Sequence, residues 1–311
     1  MSEKIKVICV AGPTASGKTG LGIEIAKAVN GEIICADSMQ IYKGMSIASA
    51  APTMEEKKEA THHLAEFLEY GESFTVSDYV LAAREKINEI AKEGKTPIIV
   101  GGTGLYISSL ADNIVFAEGE TDLALRERLN KEMEEIGAEE MLKKLYELDP
   151  EAASKLHPNN KRRIIRAFEI YETTGLTKSK QNILSRSEEN PYEFIMIGIN
   201  FSDRQRLYDR INLRVDKMIE AGLLDEAKEA YDNKSDRTDG AIQAIGHKEL
   251  FPCFEGESSL EECIEKLKQS TRRYAKRQIT WFSRDERIFW LYPDKSDDIV
   301  KEALEIIKGK E

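Results

Sequence analysis

The chain has 311 residues, 41% of them hydrophobic and 32% charged, with a formal net charge of −11; this composition is that of a globular protein long enough for two domains and excludes collagenous, disordered and disulfide-scaffold chains. No apolar run approaches the ~18 residues of a membrane span, so a cytoplasmic protein is expected. Four cysteines, Cys9, Cys35, Cys253 and Cys263, form no C-x-x-C pair, which leaves neither a disulfide framework nor a zinc site.

The first predicted strand, 5–10, runs into Gly12-Pro13-Thr14-Ala15-Ser16-Gly17-Lys18-Thr19, and a helix with Leu21, Ile25, Ala28 and Val29 on one face follows. G-x4-G-K-T between a strand and a helix is the pattern of a phosphate-binding loop. Its backbone N–H groups and the helix N-terminus face an anion, Lys18 would reach the phosphates, and the Thr19 hydroxyl would help hold Mg²⁺. A second strand, 32–36, ends at Asp37-Ser38. Strand, crossover helix, strand implies parallel pairing, which brings Asp37 to the same sheet edge as the loop. The stretch 39–74 reads as irregular, with a helical patch near 53–60 and the pair His62-His63. A helix then opens at Ser77-Asp78 and stops at Gly94, and a third strand, 97–100, delivers Gly101-Gly102-Thr103-Gly104 to that edge.

From 114 to 191 the pattern changes to charged helices, at 122–133, 139–148 and 161–174, with no strand signal. Strand character resumes at 194–199. Helices follow at 202–221, 223–231 and 259–281, then a strand at 287–291 and a helix at 297–308. The predicted fold is α/β: a P-loop NTPase-like parallel sheet flanked by helices, residues 1–113 plus 192–311, with an inserted all-helical domain at 114–191.

Charge is unevenly spread. Residues 155–186 carry eight basic side chains against two acidic ones, residues 266–287 carry the same, and 116–150 carry eleven acids against five bases. Basic segments in an acidic chain point to a localised polyanion site. Hydrolysis of a nucleotide would ask for a carboxylate at the end of the third strand, where Gly101-Gly102 stands instead. Asp37 is the acid left near the loop, as a water-mediated Mg²⁺ ligand or as a general base. The glycines predict a backbone-lined space beside the phosphates, with the Thr103 hydroxyl in it. On the helix 271–281, Arg272, Arg273, Lys276 and Arg277 alternate with Tyr274 and Trp281, a pattern that suits an RNA backbone.

Several of these motifs, in this order, resemble the bacterial tRNA dimethylallyltransferases: the loop 12–19, Asp37-Ser38-Met39-Gln40-Ile41-Tyr42, His62-His63-Leu64, and Gly101-Gly102-Thr103-Gly104-Leu105-Tyr106. His157-Pro158-Asn159-Asn160 with Arg163 and Arg166, Ala244-Ile245-Gly246 with Lys248-Glu249, and 272–281 continue the series. The resemblance implies transfer of a dimethylallyl group from dimethylallyl diphosphate to N6 of the adenosine at tRNA position 37, next to the anticodon, with diphosphate released. It implies that residues 12–19 hold the donor's diphosphate, with Mg²⁺ at Thr19 as cofactor, and that Asp37, Thr103 and Arg214 are catalytic.

The anticodon stem-loop would be held by Asp37, Ser38, Met39, Gln40 and Thr103. In the insertion, Arg126, Arg162, Arg163, Ile164, Ile165 and Arg166 would add to that grip, and in the core Gly246, His247, Lys248, Arg272, Lys276 and Arg277. Family habit suggests a monomer with no membrane partner. Departures exist: Ala51 stands where a lysine is usual, His247 where tyrosine is common, Asn160 where aspartate is common, and the cysteine-histidine finger of eukaryotic relatives is absent. The competing readings are an adenylate isopentenyltransferase, which would not need the basic insertion, and a P-loop nucleotide kinase, which would need ATP and an arginine-rich lid.

Overall fold

Short runs rich in Ile and Val, closed by glycine or a polar residue, pair as buried strands because branched side chains pack well on a pleated surface. The computed structural model describes residues 4–69, 71–116, 122–186, 189–232 and 244–310. In chain order its first elements are β1 (Ile5–Ala11), α1 (Lys18–Ala28), β2 (Gly31–Ala36), α2 (Ser46–Ser49), α3 (Met54–Glu59), β3 (His62–His63), α4 (Val76–Lys92), β4 (Thr96–Gly101) and α5 (Gly104–Ala111). Next come the helices α6 (Leu123–Ile136), α7 (Ala138–Leu148), α8 (Pro150–Ala153), α9 (Lys161–Thr174) and α10 (Lys178–Leu184). The chain closes with β5 (Tyr192–Ile199), α11 (Arg204–Glu220), α12 (Leu223–Asp232), α13 (Phe251–Phe254), α14 (Leu260–Phe282), β6 (Ile288–Leu291) and α15 (Ile299–Lys308).

Among the described residues the sheet has the order β3-β2-β4-β1-β5-β6, and every pair is parallel, with Val10 opposite Val100 on one side and Ile197 on the other. This is the parallel α/β sheet that the sequence predicts. Ile8, Val10, Ile33, Cys35, Ile98 and Ile197 build the core beneath α1 and α15, each such side chain stabilising the fold by roughly 1.5–3 kcal/mol on burial. Cys9 and Cys35 lie in this sheet, and burial pushes both thiols up to about 12, so they are inert packing groups. No described helix is long and apolar enough to cross a membrane.

The chain divides into two compact units, Met1–Ala111 with Pro191–Glu311, and Asp112–Asn190. The second unit is helical and has its own core of Leu129, Met133, Met141, Leu145, Ile164 and Ile165. Inside it the buried carboxylate of Glu169 accepts from Arg126 Nε at 2.5 Å and from Arg166 NH1 at 3.0 Å. Those two guanidinium groups hold its pKa below the ordinary carboxylate value against the opposing effect of burial.

Between 39 and 74, where the sequence shows only a helical patch, the structure adds α2 and β3. Both are too short to register as a period, and β3 is fixed by pairing, Ile33 with His62 and Ile34 with His63.

Candidate active site

In a parallel sheet with helical crossovers the C-terminal strand ends share one edge, and here β1, β2 and β4 bring the phosphate loop, Asp37 and Thr103 to it. A cavity of about 580 Å³ opens at that edge, and Thr14, Lys18, Thr19, Asp37, Arg214 and Tyr274 all line it. The first turn of α1 has no side-chain cap, so its orphan N–H groups and the positive end of the helix are left for an anion. Lys18 Nζ donates to the Pro13 carbonyl at 2.7 Å, which folds the side chain back over the loop.

The two turns that flank the loop are latched together. Ser38 N–H donates to Thr103 Oγ1 at 2.9 Å, and Thr103 N–H donates to the Ala36 carbonyl at 3.0 Å. Asp37 Oδ1 accepts from Met39 N–H at 2.9 Å, so a local turn fixes how the carboxylate is presented. Ser38, Met39 and Gln40 line the cavity as well, and Gln40 Nε2 donates to the Ala50 carbonyl at 2.9 Å. Arg214 comes from α11, with NH2 donating to the Ser49 carbonyl at 3.4 Å.

Electrostatically, the cavity wall sets Lys18, Arg214, Lys248 and Arg277 against two acids, Asp37 and Glu56, of which Glu56 accepts from Thr53 N–H at 2.8 Å. Burial pulls the Lys18 pKa down to about 7, against the opposing charge of Asp37 and with help from Arg214. Burial also lowers Arg214, again against Asp37. Such a site disfavours its own cations until an anion enters, then holds that anion with undiluted charge. Tyr274 is pushed up, first by burial and then by the negative charge of Asp37, so its hydroxyl stays protonated.

Several expectations need correction. The space predicted beside Gly101-Gly102 is there in part: Gly101 lines the cavity, but α14 packs on the next residues, where a Cβ on Gly102 would lie 2.2 Å from Gln278 Nε2 and one on Gly104 would lie 2.3 Å from the Trp281 ring. Glycine reports that something approaches closely, without saying that it is a ligand. Ile164 and Ile165, expected against RNA, are 0% and 6% exposed in the core of the helical unit. His247 is fully buried too, with Nε2 3.0 Å from Glu226 Oε1, so its ring faces the protein. Of the loop, Thr14, Lys18 and Thr19 line the cavity and Gly12, Pro13, Ala15, Ser16 and Gly17 do not; Ser16 and Gly17 line a second hollow with Leu21 and Pro293.

The rest of the expected set is divided between the cavity wall and the surface. Gly246 and Lys248 line the cavity. Lys276 and Arg277 are exposed on α14, Arg272 donates to Asn212 Oδ1 at 2.6 Å, and Arg162 and Arg163 are exposed on α9.

Sequence reasoning missed three residues. Gln278 stands four positions after Tyr274 on α14, and an amide among cations on a helix was the available signal. Arg210 Nε donates to the Ala15 carbonyl at 2.9 Å and braces the phosphate loop from α11. Glu226 accepts from Ile47 N–H at 2.8 Å and Ala48 N–H at 2.9 Å, holding α2 beside the cavity; nothing in the sequence marks either of these two.

A family model described as IPP transferase matches residues 40–285. This chain belongs to the IPP transferase family. Among its relatives, the tRNA dimethylallyltransferase of Thermoanaerobacter sp. (strain X514) is 46% identical over 310 residues, covering 98% of each chain. That of Bacillus subtilis (strain 168) is 48% identical over 289 residues, covering 93% of this chain and 91% of the relative. The solved structure of the full-length tRNA isopentenylpyrophosphate transferase from Bacillus halodurans aligns with a TM-score of 0.72 at 41% identity, covering 99% of this chain and 97% of that one. A eukaryotic dimethylallyltransferase described as acting on tRNA aligns at 0.78 and 31% identity, over 93% of this chain and 74% of the other.

Magnesium fits the IPP transferase cavity in one way only. Among the described residues no group of three His, Cys, Asp or Glu is placed to hold a metal, yet Thr19 and Asp37 line the same cavity. An ion that keeps its waters and takes phosphate oxygens needs no more protein than that.

Proposed function

We propose that this chain transfers a dimethylallyl group from dimethylallyl diphosphate to N6 of adenosine 37 in tRNA. The observation that carries the reading is one cavity holding the uncapped start of α1, two desolvated cations, Lys18 and Arg214, and Asp37, the carboxylate whose charge acts on both; Glu56, the other acid of the wall, accepts from Thr53 N–H. The cations and N–H groups suit a diphosphate that gains charge as its bond to carbon breaks. The carboxylate suits a nucleophile that must lose a proton. Adenine N6 is a weak nucleophile, its lone pair being delocalised into the ring, so a base beside it is useful.

In the proposed reaction the N6 nitrogen bonds to C1 of the donor, the C1–O bond breaks, its electron pair leaves with diphosphate, and the N6 proton passes to Asp37. Lys18 and Arg214 bind the leaving oxygens, while Thr103, fixed by Ser38, orients the reacting groups. Bound magnesium, held through Thr19 and donor oxygens, would supply further charge neutralisation. Arg162, Arg163, Lys276 and Arg277 are exposed cations available to RNA phosphates. The target base must leave its stack to enter the cavity, at roughly a few kcal/mol. We read the protein further as a cytoplasmic monomer.

The test incubates the protein with Mg²⁺ and labelled dimethylallyl diphosphate, together with unmodified tRNA or AMP. Label is expected in tRNA that carries adenosine 37, and preferential labelling of AMP would overturn the reading in favour of an adenylate acceptor.

A further inference from the structure

Gln278 is 5% exposed and uses both ends of its amide. Its Oε1 accepts from Thr14 N–H in the phosphate loop at 2.8 Å. Its Nε2 donates to the Gly102 carbonyl at the end of β4, at 2.9 Å. One turn earlier on α14, Tyr274 lines the active-site cavity. Thr103 accepts from Ser38, the residue after Asp37. A single side chain therefore ties the loop that faces the phosphates to the turn that carries Thr103, from the helix whose neighbouring positions expose Lys276 and Arg277. Gly102 has no side chain where this amide lies, and any Cβ there would displace it.

The geometry points to Gln278 as a positioning residue for the transfer step, whose buried amide holds the phosphate loop and the Thr103 turn in one register, so that the donor's diphosphate is aligned with Thr103 and Asp37. This rests on the donor reading above and deepens it. Gln278 lines the cavity, but the role assigned to it acts through Thr14 and Gly102. With both hydrogen bonds of the amide gone, the Thr14 peptide can turn and the Gly102 carbonyl loses its side-chain donor. The cations then meet the diphosphate in a less aligned pose, and displacement of about 1 Å at a reacting centre can cost ~10²-fold in rate.

The experiment compares wild type, Gln278→Met, Gly102→Ala and the double variant. Methionine keeps the length and bulk of the side chain and removes both hydrogen bonds. Three quantities are read on the folded protein: single-turnover transfer at saturating donor and tRNA, the Kd of an inert diphosphate analogue of the donor, and the Kd of tRNA. For Gln278→Met the expected result is a rate ~10²-fold lower and weaker analogue binding, with tRNA affinity within about twofold of wild type. Gly102→Ala should shift the same quantities in the same direction. The double variant should fall little below the worse single one, because both changes break one link.

A wild-type rate in Gln278→Met would overturn the proposal. So would additive losses in the double variant, or a loss confined to tRNA affinity. Should wild type transfer nothing to tRNA, the reaction reading fails instead, and the analogue affinities still decide whether Gln278 orders the loop.

Discussion

Lys18 lies where a positive charge is costly before an anion arrives and useful afterwards. Its pKa of about 7 in the folded protein compares with about 10.4 for a lysine in an unfolded chain. Between those values the unfolded chain holds a proton that the folded chain lacks, so this residue makes stability rise with pH across that window and level off below it. Binding reverses the preference. A diphosphate beside Lys18 restores its proton, so affinity should weaken as pH rises above about 7, by up to tenfold per unit. Calorimetry near pH 8.5 in two buffers of different ionisation heat should give uptake approaching one proton per bound donor analogue, once the phosphates are fully ionised; no uptake would contradict the assignment. For Asp37→Ala, the expected result is a chemical step ~10²- to 10⁴-fold slower with tRNA affinity nearly unchanged. Collapse of tRNA binding would make Asp37 a recognition residue.

At this scale the sequence was legible wherever a residue's position follows from its place at a strand end. Lys18, Thr19, Asp37 and Thr103 are of that kind. Arg210, Glu226 and Gln278 are not, because their partners are backbone groups distant in sequence, Ala15, Ile47 with Ala48, and Thr14 with Gly102.

Among the elements, α2 shows how a short segment can depend on a remote carboxylate. It is four residues long, without a side-chain cap of its own, and Glu226 on α12 takes up the Ile47 and Ala48 N–H groups while also meeting the buried His247 ring. Glu226→Ala leaves these donors unpaired, a loss of ~1–3 kcal/mol for a buried group. Urea unfolding should show it as a lower midpoint at unchanged slope, and an unshifted midpoint would refute the account. On α9 two neighbouring arginines differ in kind. Arg163 is exposed, whereas Arg166 also satisfies Glu169. Arg163→Ala should therefore weaken tRNA binding and reduce its salt slope by ~0.7–0.9 for each RNA phosphate that is no longer neutralised, with stability intact. Arg166→Ala should lower stability as well. A salt titration of binding beside a thermal melt of each variant separates the two.

Long elements were legible because their period repeats several times. The helix predicted at 259–281 is α14 at Leu260–Phe282, and the strand predicted at 194–199 is β5 at Tyr192–Ile199. Ile164 and Ile165 mislead for the same reason that a helix has faces. They adjoin the basic positions 162, 163 and 166 in sequence but point into the core of their unit.

Taken over the whole molecule, a net charge of −11 argues against a nucleic-acid partner, and only its distribution argues for one. The parallel pairing and the shared edge of β1, β2 and β4 follow from connection rules that a sequence can carry, whereas the order of all six strands does not. The acceptor is different, because one anion-binding loop serves phosphate groups of many molecules. The claim at the centre of the account is that the diphosphate in this cavity is a leaving group in transfer to tRNA. The direct measurement follows carbon-labelled dimethylallyl diphosphate, with Mg²⁺, into unmodified tRNA and into the same tRNA with adenosine 37 replaced by guanosine. The account predicts label in the first and none in the second, with one diphosphate released per group transferred. Equal labelling of both, or diphosphate release without transfer, would contradict it.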